Sequence, residues 1–428
     1  MDSKTLHVLG AVVIVAAVAC AGAFLIMNND PEGGNPGLKD FAGQPVETVE
    51  NLDNGIIAVG QDSFRWVTYF GLADKCVMID QNDMSNFLGK SFMYVGRGQV
   101  DIDGGNSATL GTDDAARKYF THTNCGITTD DVGTILELEP SVLVVPAAFY
   151  QDYAVQMKAI ENQGINTVAI GYIYTFLEED TLKITTDLER QIDILAKALD
   201  EEARGNELKS AFETLVQDCL SLTSDITEKR SAYVGSLSYN GAHGISSSIP
   251  YYIPFELAGL RNILSGKAVY EGSGVKQYQS SDIAAGIKDD TVLFIDASGY
   301  SMNTDNESRG ILKMFAGKDA YIVAPYIWTG INYDTIFVIA YQMMNQAYGD
   351  AVLSDAQLRE KIDNVYELFY GTSESTRNIS VFKYEVPLPA EGTGIFDDMN
   401  ALYQVAKGNP IYGEITVDSN GDTALVSA

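Results

Sequence analysis

The residue types most often used for metal and redox chemistry are scarce in this sequence. The chain has three histidines and four cysteines: His7, His122, His243, Cys20, Cys76, Cys125 and Cys219. His7 lies beside an apolar run, so only two histidines remain, fewer than the three that hold bare zinc or manganese in a three-histidine site. No two cysteines form a CxxC pair, so neither a zinc ribbon nor a redox motif is indicated.

Motifs of common enzyme classes are also absent from the sequence. It contains no GxSxG nucleophile elbow, no HExxH zinc motif and no P-loop. Carboxylates are so numerous that no pair stands out as an acid/base couple. The sequence therefore favours a binding protein over an enzyme, and no intrinsic cofactor is expected.

Charge and aromatic content narrow the range of ligands. Asp and Glu number 58 against 28 Lys and Arg, which gives a formal net charge of −30. This balance argues against a nucleic-acid partner, because phosphate binding needs basic patches. The chain also has 24 tyrosines, whose apolar face and polar tip suit planar or bulky ligands. Many of them are expected to belong to the core.

The N-terminal segment predicts export. Residues 8–27 form an uninterrupted apolar run, preceded by Lys4 and followed by Asp30 and Glu32, and this run is about long enough to cross a bilayer. We interpret residues 1–27 as a membrane anchor that leaves the rest of the chain at the outer face of the cytoplasmic membrane. A cleaved signal peptide and lipidation at Cys20 are the competing interpretations. Residues 28–53 read as a linker.

A long helical segment divides the chain after the linker. Residues 179–230 contain no proline, and their apolar residues recur every three or four positions, as on one face of a helix. These residues are Leu188, Ile192, Leu195, Leu199, Leu208, Phe212, Leu215, Cys219, Leu222 and Ile226. The pattern predicts two consecutive helices, the second over about residues 201–227 and roughly 40 Å long. Gly205 is its weak point, and Cys219 is expected to be buried.

Strands alternate with helices on both sides of this segment. Buried strands such as GIIAVG and SVLVVP precede it, and SAYVGSL and DTVLFIDAS follow it. Short loops between alternating strands and helices are typical of parallel βαβ units. The sequence predicts an α/β fold with two parallel-sheet lobes, residues 54–178 and 231–372, joined by the helices of residues 179–230. Residues 373–428 form a C-terminal extension, in which DSNGD is an aspartate-glycine turn. A Cys76–Cys125 disulfide is conceivable in an exported protein.

The order of several segments resembles the class III substrate-binding proteins of ABC importers, the ferric-siderophore, haem and cobalamin type. The segments are GIIAVG, GLADKCVMID, TILELEPSVLVVP, ALDEEARGNELKSAF, SAYVGSL, FELAGLRNIL, YQSSDIAAGIKDDTVLFID and VYELFYG. They cover roughly residues 54–371, and their order and spacing carry the resemblance, since no single motif is diagnostic. The resemblance implies two lobes kept nearly rigid by one long helix, with a ligand in the cleft between them.

Applied to this sequence, the resemblance places the ligand among loops at the carboxyl ends of strands, where open parallel sheets bind ligands in general. The first-lobe candidates are Gln61, Phe64, Arg65, Trp66, Tyr94, Arg97, Phe149 and Tyr150. The second-lobe candidates are Tyr239, His243, Tyr251, Tyr252, Tyr300, Tyr326 and Trp328. Together they predict an aromatic cleft for an iron chelate (siderophore or haem) or a cobalamin-type corrinoid. Arg65 or Arg97 would meet an anionic group, and His243 is either an axial ligand or a solvated loop residue.

The same resemblance implies partners. Members of that class present one acidic residue per lobe to the ABC permease, which works with its ATPase. The second-lobe position matches Asp282. The first-lobe position matches Gly133, so the nearby Asp130 and Asp131 are the candidates there. The protein is expected to act as a monomer. A membrane-tethered sensor or an enzyme on a similar two-lobed fold is the alternative function.

Overall fold

The computed structural model describes residues 37–81, 83, 109–110, 118–239, 241–268, 273–327, 330–370, 400, 404 and 408–426. The apolar run of residues 8–27 and the candidates Cys20, Tyr94, Arg97 and Trp328 lie outside these residues. None of the helices in the described part is both long and apolar enough to cross a membrane.

The first lobe is a six-stranded sheet flanked by helices. Its strands are β1 (Ile56–Ala58), β2 (Cys76–Ile79), β3 (Thr109–Leu110), β4 (Lys118–Phe120), β5 (Val142–Pro146) and β6 (Thr167–Ile170). Its helices are α1 (Ser63–Tyr69), α2 (Thr129–Leu138), α3 (Phe149–Asp152) and α4 (Ala154–Glu161), with a 3₁₀ turn at Ala73–Lys75. The strand order is β3-β4-β2-β1-β5-β6, and only the β3–β4 pair is antiparallel. This sheet therefore contains the parallel βαβ units that the sequence predicts.

Helix α2 begins with a reciprocal pair of hydrogen bonds between Thr128 and Asp131. The Thr128 hydroxyl accepts a hydrogen bond from the Asp131 backbone N–H, and the Asp131 carboxylate accepts one from the Thr128 N–H at 2.6 Å. This reciprocal pair is a capping box, which satisfies two backbone donors that the first turn leaves without partners. The carboxylate of Asp131 is therefore used inside the lobe.

Two helices connect the lobes, α5 (Thr186–Ala198) and α6 (Glu202–Thr223). At 22 residues, α6 is about 33 Å long, and it ends a few residues earlier than predicted. Helix α5 packs on β6 of the first lobe, whereas α6 packs on helices of the second lobe. The contact between α5 and α6 is therefore one of the connections between the lobes. Cys219 is fully buried in α6, as predicted, and burial raises the pKa of its thiol.

The second lobe repeats the architecture. Its strands are β7 (Ser231–Gly235), β8 (Ser247–Ser248), β9 (Arg261–Asn262), β10 (Lys276–Gln277), β11 (Val292–Asp296), β12 (Ala320–Val323), β13 (Gly413–Val417) and β14 (Thr423–Leu425). Its helices are α7 (Ile253–Leu257), α8 (Ser280–Gly286), α9 (Asn306–Leu312), α10 (Tyr333–Tyr348) and α11 (Asp355–Tyr370), with 3₁₀ turns at Tyr300–Met302, Lys313–Phe315 and Gly349–Ala351. The main sheet has the order β14-β13-β12-β11-β7-β9, and β8 pairs with β10 separately.

The C-terminal extension contributes to this second sheet. Strand β13 pairs antiparallel with β12, and β14 pairs antiparallel with β13. The predicted turn lies between them, where Asp418 accepts hydrogen bonds from the backbone N–H groups of Asn420 and Asp422 at 2.8 and 2.9 Å. Residues 413–425 are therefore part of the lobe rather than an appendage to it.

One hydrophobic core extends through both lobes and the connecting helices. Phe212 of α6 lies at its centre. The Phe212 ring is 5.6 Å from that of Phe176 in the first lobe, 6.4 Å from that of Tyr333 and 5.1 Å from that of Phe369 in the second. The long helix is buried against both lobes at this point and is not a solvent-exposed rod.

Gly205 allows α5 and α6 to approach closely. A Cβ atom added at Gly205 would lie 2.6 Å from the Cβ of Ala196. Alanine ordinarily stabilises a helix interior by about 1 kcal/mol relative to glycine. We nevertheless expect Gly205→Ala to lower the free energy of unfolding, measured by urea denaturation, because the two helices must move apart.

Gly133 provides the matched control for this substitution. It lies within α2, and nothing stands within 4 Å of its added Cβ, so Gly133→Ala should raise stability. Adding Ala196→Gly to Gly205→Ala should recover the loss. A stabilised Gly205→Ala variant would show that the helices do not depend on this close approach.

Candidate functional site

The carboxyl edges of the two main sheets face each other. The loop after β1 in the first lobe contacts the loop after β12 in the second. A Cβ atom added at Gly330 would lie 2.1 Å from the Asp62 carboxylate. Gly330 has a φ of +103°, a conformation that L side chains rarely adopt. The predicted cleft position, between loops at the ends of parallel strands, therefore has a tightly closed inner part.

Arg65 lies in this closed part, and its side chain is 1% exposed. It forms an ion pair with Asp62 and donates hydrogen bonds to the Ile331 carbonyl at 2.5 Å and to Asn332 Oδ1 at 2.9 Å. Burial alone would lower the pKa of Arg65, but the neighbouring Asp62, Tyr69 and Asp334 outweigh it and raise that pKa. The guanidinium is fixed and charged, and it bridges the lobes rather than facing a ligand.

Two further hydrogen bonds cross the boundary beside Arg65. The Tyr69 hydroxyl donates to Asp334 Oδ1 at 2.7 Å, and the Tyr333 hydroxyl donates to the Ile173 carbonyl at 2.9 Å. Trp66 is fully buried between Tyr69 and Tyr333, with ring centroids 5.5 and 5.2 Å away. The Trp66 indole N–H has no hydrogen-bond partner among the described residues. Trp66 is thus a core residue at the lobe boundary.

The other first-lobe candidates are only partly directed at the cleft. Gln61 is half-buried and donates a long hydrogen bond of 3.4 Å to the Tyr174 hydroxyl. Phe64 and Phe149 are buried in the core. Burial raises the pKa of the Tyr150 hydroxyl, which lies near Glu161 and Thr167, so Tyr150 extends along the flank of the sheet. Among the described residues of this group, Gln61 and Tyr150 are half-buried, and Gln61 lies closest in sequence to the carboxyl end of β1.

Tyr239 and His243 form a stacked pair in the second lobe. Their ring centroids are 4.1 Å apart, with 19° between the planes. His243 Nε2 lies 2.7 Å from the Tyr239 carbonyl, to which it must donate, and Nδ1 lies 3.4 Å from the Gln277 side-chain nitrogen. Both ring nitrogens are occupied, so axial coordination by His243 would require one of these contacts to break.

Tyr252, Tyr326 and Asp296 form a buried group at the carboxyl end of β11. All three are at most 2% exposed. Asp296 accepts hydrogen bonds from the Tyr326 N–H at 2.9 Å and the Ser298 N–H at 2.8 Å. Burial raises the pKa of Asp296 to about 7, although the hydrogen bonds from Ser298 and Tyr326 oppose the shift. Asp296 holds the start of the loop after β12 in place.

Tyr251 and Tyr300 remain half-buried at the same edge of the sheet. The hydroxyl groups of Tyr251 and Tyr252 are enclosed and have no hydrogen-bond partner among the described residues. The Tyr300 hydroxyl accepts a hydrogen bond of 3.2 Å from Thr423 in the C-terminal hairpin. Tyr239, His243, Tyr251 and Tyr300 are therefore the described second-lobe candidates that keep some exposure.

Sequence reasoning missed residues of the loop after β6. Tyr172 is 38% exposed, and Tyr174 receives the hydrogen bond from Gln61. The signal was present, because NTVAIGYIYTF reads as a strand followed by two tyrosines at its carboxyl end. Applying the rule for parallel sheets to β6 as well would have found both. Asp62, Asn332 and Asp296 carry no comparable signal, since nothing in the sequence shows that they are buried.

The acidic residues predicted to dock a permease differ in accessibility. Asp130 is exposed in the first turn of α2, whereas Asp131 is buried in the capping box and also accepts a hydrogen bond from the His122 N–H at 2.9 Å. Asp282 lies in α8, is 38% exposed at its side chain and pairs with Lys267 at 2.7 Å. Asp130 and Asp282 remain available at the surface.

The conceivable disulfide between Cys76 and Cys125 is not formed in the described part of the chain. The described residues contain no group of three or more His, Cys, Asp or Glu side chains placed to hold a metal ion.

A cavity of about 650 Å³ lies elsewhere, lined by residues that include Lys229, Glu256, Arg261 and Asp290. These residues precede or begin the strands β7, β9 and β11, so the cavity is at the amino edge of the second sheet. Ligands of open parallel sheets bind at the opposite, carboxyl edge.

Comparison with known proteins bears on the fold. Neither a protein-family model nor a curated protein matches the sequence. Among solved structures, the TroA-like periplasmic binding protein FepB from Veillonella parvula matches with a TM-score of 0.51 and 16% identity, over 78% of this chain and 96% of that one. A periplasmic solute-binding protein from Veillonella parvula DSM 2008 matches with a TM-score of 0.50 and 17% identity, over 80% and 97%.

A third similar structure is the molybdate-binding protein MolA of a Haemophilus influenzae ABC transporter, bound to molybdate. It matches with a TM-score of 0.51 and 15% identity, over 78% of this chain and 98% of that one. These likenesses extend over almost the whole of each neighbour and over both lobes of this chain. They confirm the fold expected from the resemblance, and the chain has the two-lobed α/β fold of the TroA-like periplasmic solute-binding proteins.

Proposed function

We propose that this protein is an extracytoplasmic solute-binding protein that captures a ligand between its lobes and delivers it to an ABC permease and its ATPase. The observation that carries the proposal is the pair of parallel sheets whose carboxyl edges face each other, in a fold shared along 96–98% of the neighbouring solute-binding proteins. The apolar run of residues 8–27 supports a tether to the outer face of the cytoplasmic membrane.

The proposed ligand is a bulky chelate or macrocycle: an iron–siderophore, haem or a corrinoid. Support comes from the half-buried or exposed tyrosines at the facing edges, Tyr172, Tyr174, Tyr239, Tyr251 and Tyr300. Such rings contact a large planar or apolar surface through their faces and form hydrogen bonds through their hydroxyls. Arg65 is committed to the lobe boundary, so this proposal assigns it no contact with an anionic ligand group.

Docking on the permease is assigned to Asp130 in the first lobe and Asp282 in the second. Both carboxylates lie at the surface, on α2 and α8. A basic patch on a partner would meet one carboxylate on each lobe, and such charge complementarity chiefly sets orientation and association rate. Asp131 has no part in this, because its carboxylate caps α2.

Purification of the full chain from its native host tests the proposal. We expect a bound molecule whose absorbance and mass identify an iron chelate, haem or a corrinoid. Readdition of that molecule should raise the melting temperature of the stripped protein, because a ligand that binds only the folded state stabilises it. Failure of ferric siderophores, haemin and cobalamin alike to raise the melting temperature, with nothing co-purified, would contradict the chelate proposal.

A further inference from the structure

A buried polar cluster ties the first lobe to the segment of the second lobe that follows β12. The first-lobe members are Asp62, Arg65 and Tyr69 of the loop after β1 and of α1, and the second-lobe members belong to residues 330–334. All of the contacts lie beneath the surface, since Asp62, Arg65, Asn332 and Asp334 are each at most 4% exposed. Helix α6 also contacts the cluster, because the Arg204 side chain donates a hydrogen bond to the Tyr69 carbonyl at 2.9 Å.

The contacts of the cluster are charged and geometrically demanding. The planar guanidinium of Arg65 reaches Asp62 within its own lobe and both Ile331 and Asn332 across the boundary. A lysine ammonium in its place could not present the same fork of donors. Hydrogen bonds that involve a charged group are roughly twice as strong as neutral ones. Water is excluded, so sliding of one lobe on the other would leave a charged group buried and unpaired.

The second-lobe segment is itself held at both ends. Asp296 on β11 binds the Tyr326 N–H. The Asn332 side chain donates to the Pro325 carbonyl at 3.1 Å, and the Asn332 N–H donates to the Tyr326 carbonyl at 3.3 Å. These contacts hold Asn332 beside the carboxyl end of β12, so Arg65 is tied to that end of β12 when it binds Ile331 and Asn332.

We propose that Arg65 is a positioning residue: it locks residues 330–332 of the second lobe against the carboxyl end of β1 and so sets the distance between the lobes. The Arg65 lock then holds the lobes together in addition to the α5–α6 contact. One consequence of this lock rests on the proposed function: a ligand would enter a cleft whose inner part does not open.

Trp66 reports on this boundary without any ligand. The chain has two tryptophans, so Trp328→Phe leaves Trp66 as the single tryptophan, whose emission is followed. Trp66 is fully buried between Tyr69 of one lobe and Tyr333 of the other. Opening of the lobe boundary would admit water and acrylamide to its indole, whereas loosening elsewhere would not.

Gly330→Ala is the variant that pushes the lobes apart, because its Cβ would overlap the Asp62 carboxylate. Gly266→Ala is its control: Gly266 also has a positive φ, of +82°, but nothing lies within 4 Å of its added Cβ. In the Trp328→Phe background we expect a severalfold rise in the acrylamide quenching constant of Trp66 for Gly330→Ala and no change for Gly266→Ala. Hydrogen exchange should quicken in α1 and in residues 330–334 while the central strands stay protected.

Asn332→Ala provides a second route to the same result, should Gly330→Ala not fold. It removes one acceptor of Arg65 without adding an atom, and a severalfold rise in quenching is again expected. The lock would be overturned if the acrylamide quenching constant of Trp66 in Asn332→Ala, and in Gly330→Ala if that variant folds, equalled the constant in Gly266→Ala. Such a result would leave the proposed function untouched, since that depends on ligand recovery and melting temperature rather than on Trp66.

Discussion

Replacing Arg65 with methionine is expected to lower the free energy of unfolding by about 3–5 kcal/mol, as when one partner of a buried ion pair is removed. Methionine fills much of the space, but it leaves the Asp62 carboxylate, the Ile331 carbonyl and the Asn332 side chain without the cation that binds them. Urea denaturation of the purified protein, followed by far-UV circular dichroism, measures the change.

Two controls distinguish the effect of a buried, unpaired charge from nonspecific destabilisation of the fold. Adding Asp62→Asn to Arg65→Met removes the stranded carboxylate and should recover a large part of the loss. Lys209→Met breaks the Lys209–Asp193 ion pair, whose side chains are 25% and 50% exposed, and should cost no more than about 1 kcal/mol. A loss for Arg65→Met as small as that for Lys209→Met would show that the buried pair does little for stability.

The stability of the protein is expected to fall as pH rises from about 4 to about 8, because of Asp296. Its pKa is raised from 3.8 to about 7 by burial, so the folded state binds a proton that the unfolded state releases. The stabilising contribution is complete below the unfolded pKa and is lost as pH rises through about 7. A shift of this size corresponds to about 4 kcal/mol. Unfolding free energies measured across this pH range test the expectation.

Asp296→Asn should flatten this pH dependence. The amide lacks a titrating proton, so the difference in unfolding free energy between about pH 4 and about pH 8 should shrink by most of the Asp296 contribution. The variant loses an acceptor for the Tyr326 N–H and is expected to be less stable at low pH. The slope, not the absolute stability, is therefore the informative quantity. An unchanged slope would mean that Asp296 titrates near its ordinary pKa in the folded protein.

The helical periodicity of apolar residues and the alternation of strands with helices were sufficient to predict much of the fold. The apolar positions of residues 188–226 predicted the α5–α6 pair, because both helices bury one face and expose the other. Gly205 was interpreted as a weak point of the helix, since propensity is a local property. The structure shows a tertiary reason for glycine there: the Cβ of Ala196 occupies the space beside it.

The candidate site was predicted less completely, and α1 shows why. All seven residues of α1 are buried, because the helix packs on the first sheet with one face and on the second lobe with the other. Arg65 therefore lies in a fully buried helix, although charged residues are usually exposed at the protein surface. The neighbouring Asp62 and two partners distant in sequence, Ile331 and Asn332, make that position favourable. Trp66 was assigned to the cleft for the same reason.

The antiparallel pairing of β13 with β12 has a consequence for how the chain is made. Strand β12 ends at Val323, but the strand that covers its outer edge begins at Gly413, so roughly 90 residues must be synthesised in between. Until then β12 presents a row of unpaired backbone groups, which is a template for association with other chains. The first lobe can pair all of its strands long before this. The sheet of the second lobe is therefore completed later in synthesis than the sheet of the first.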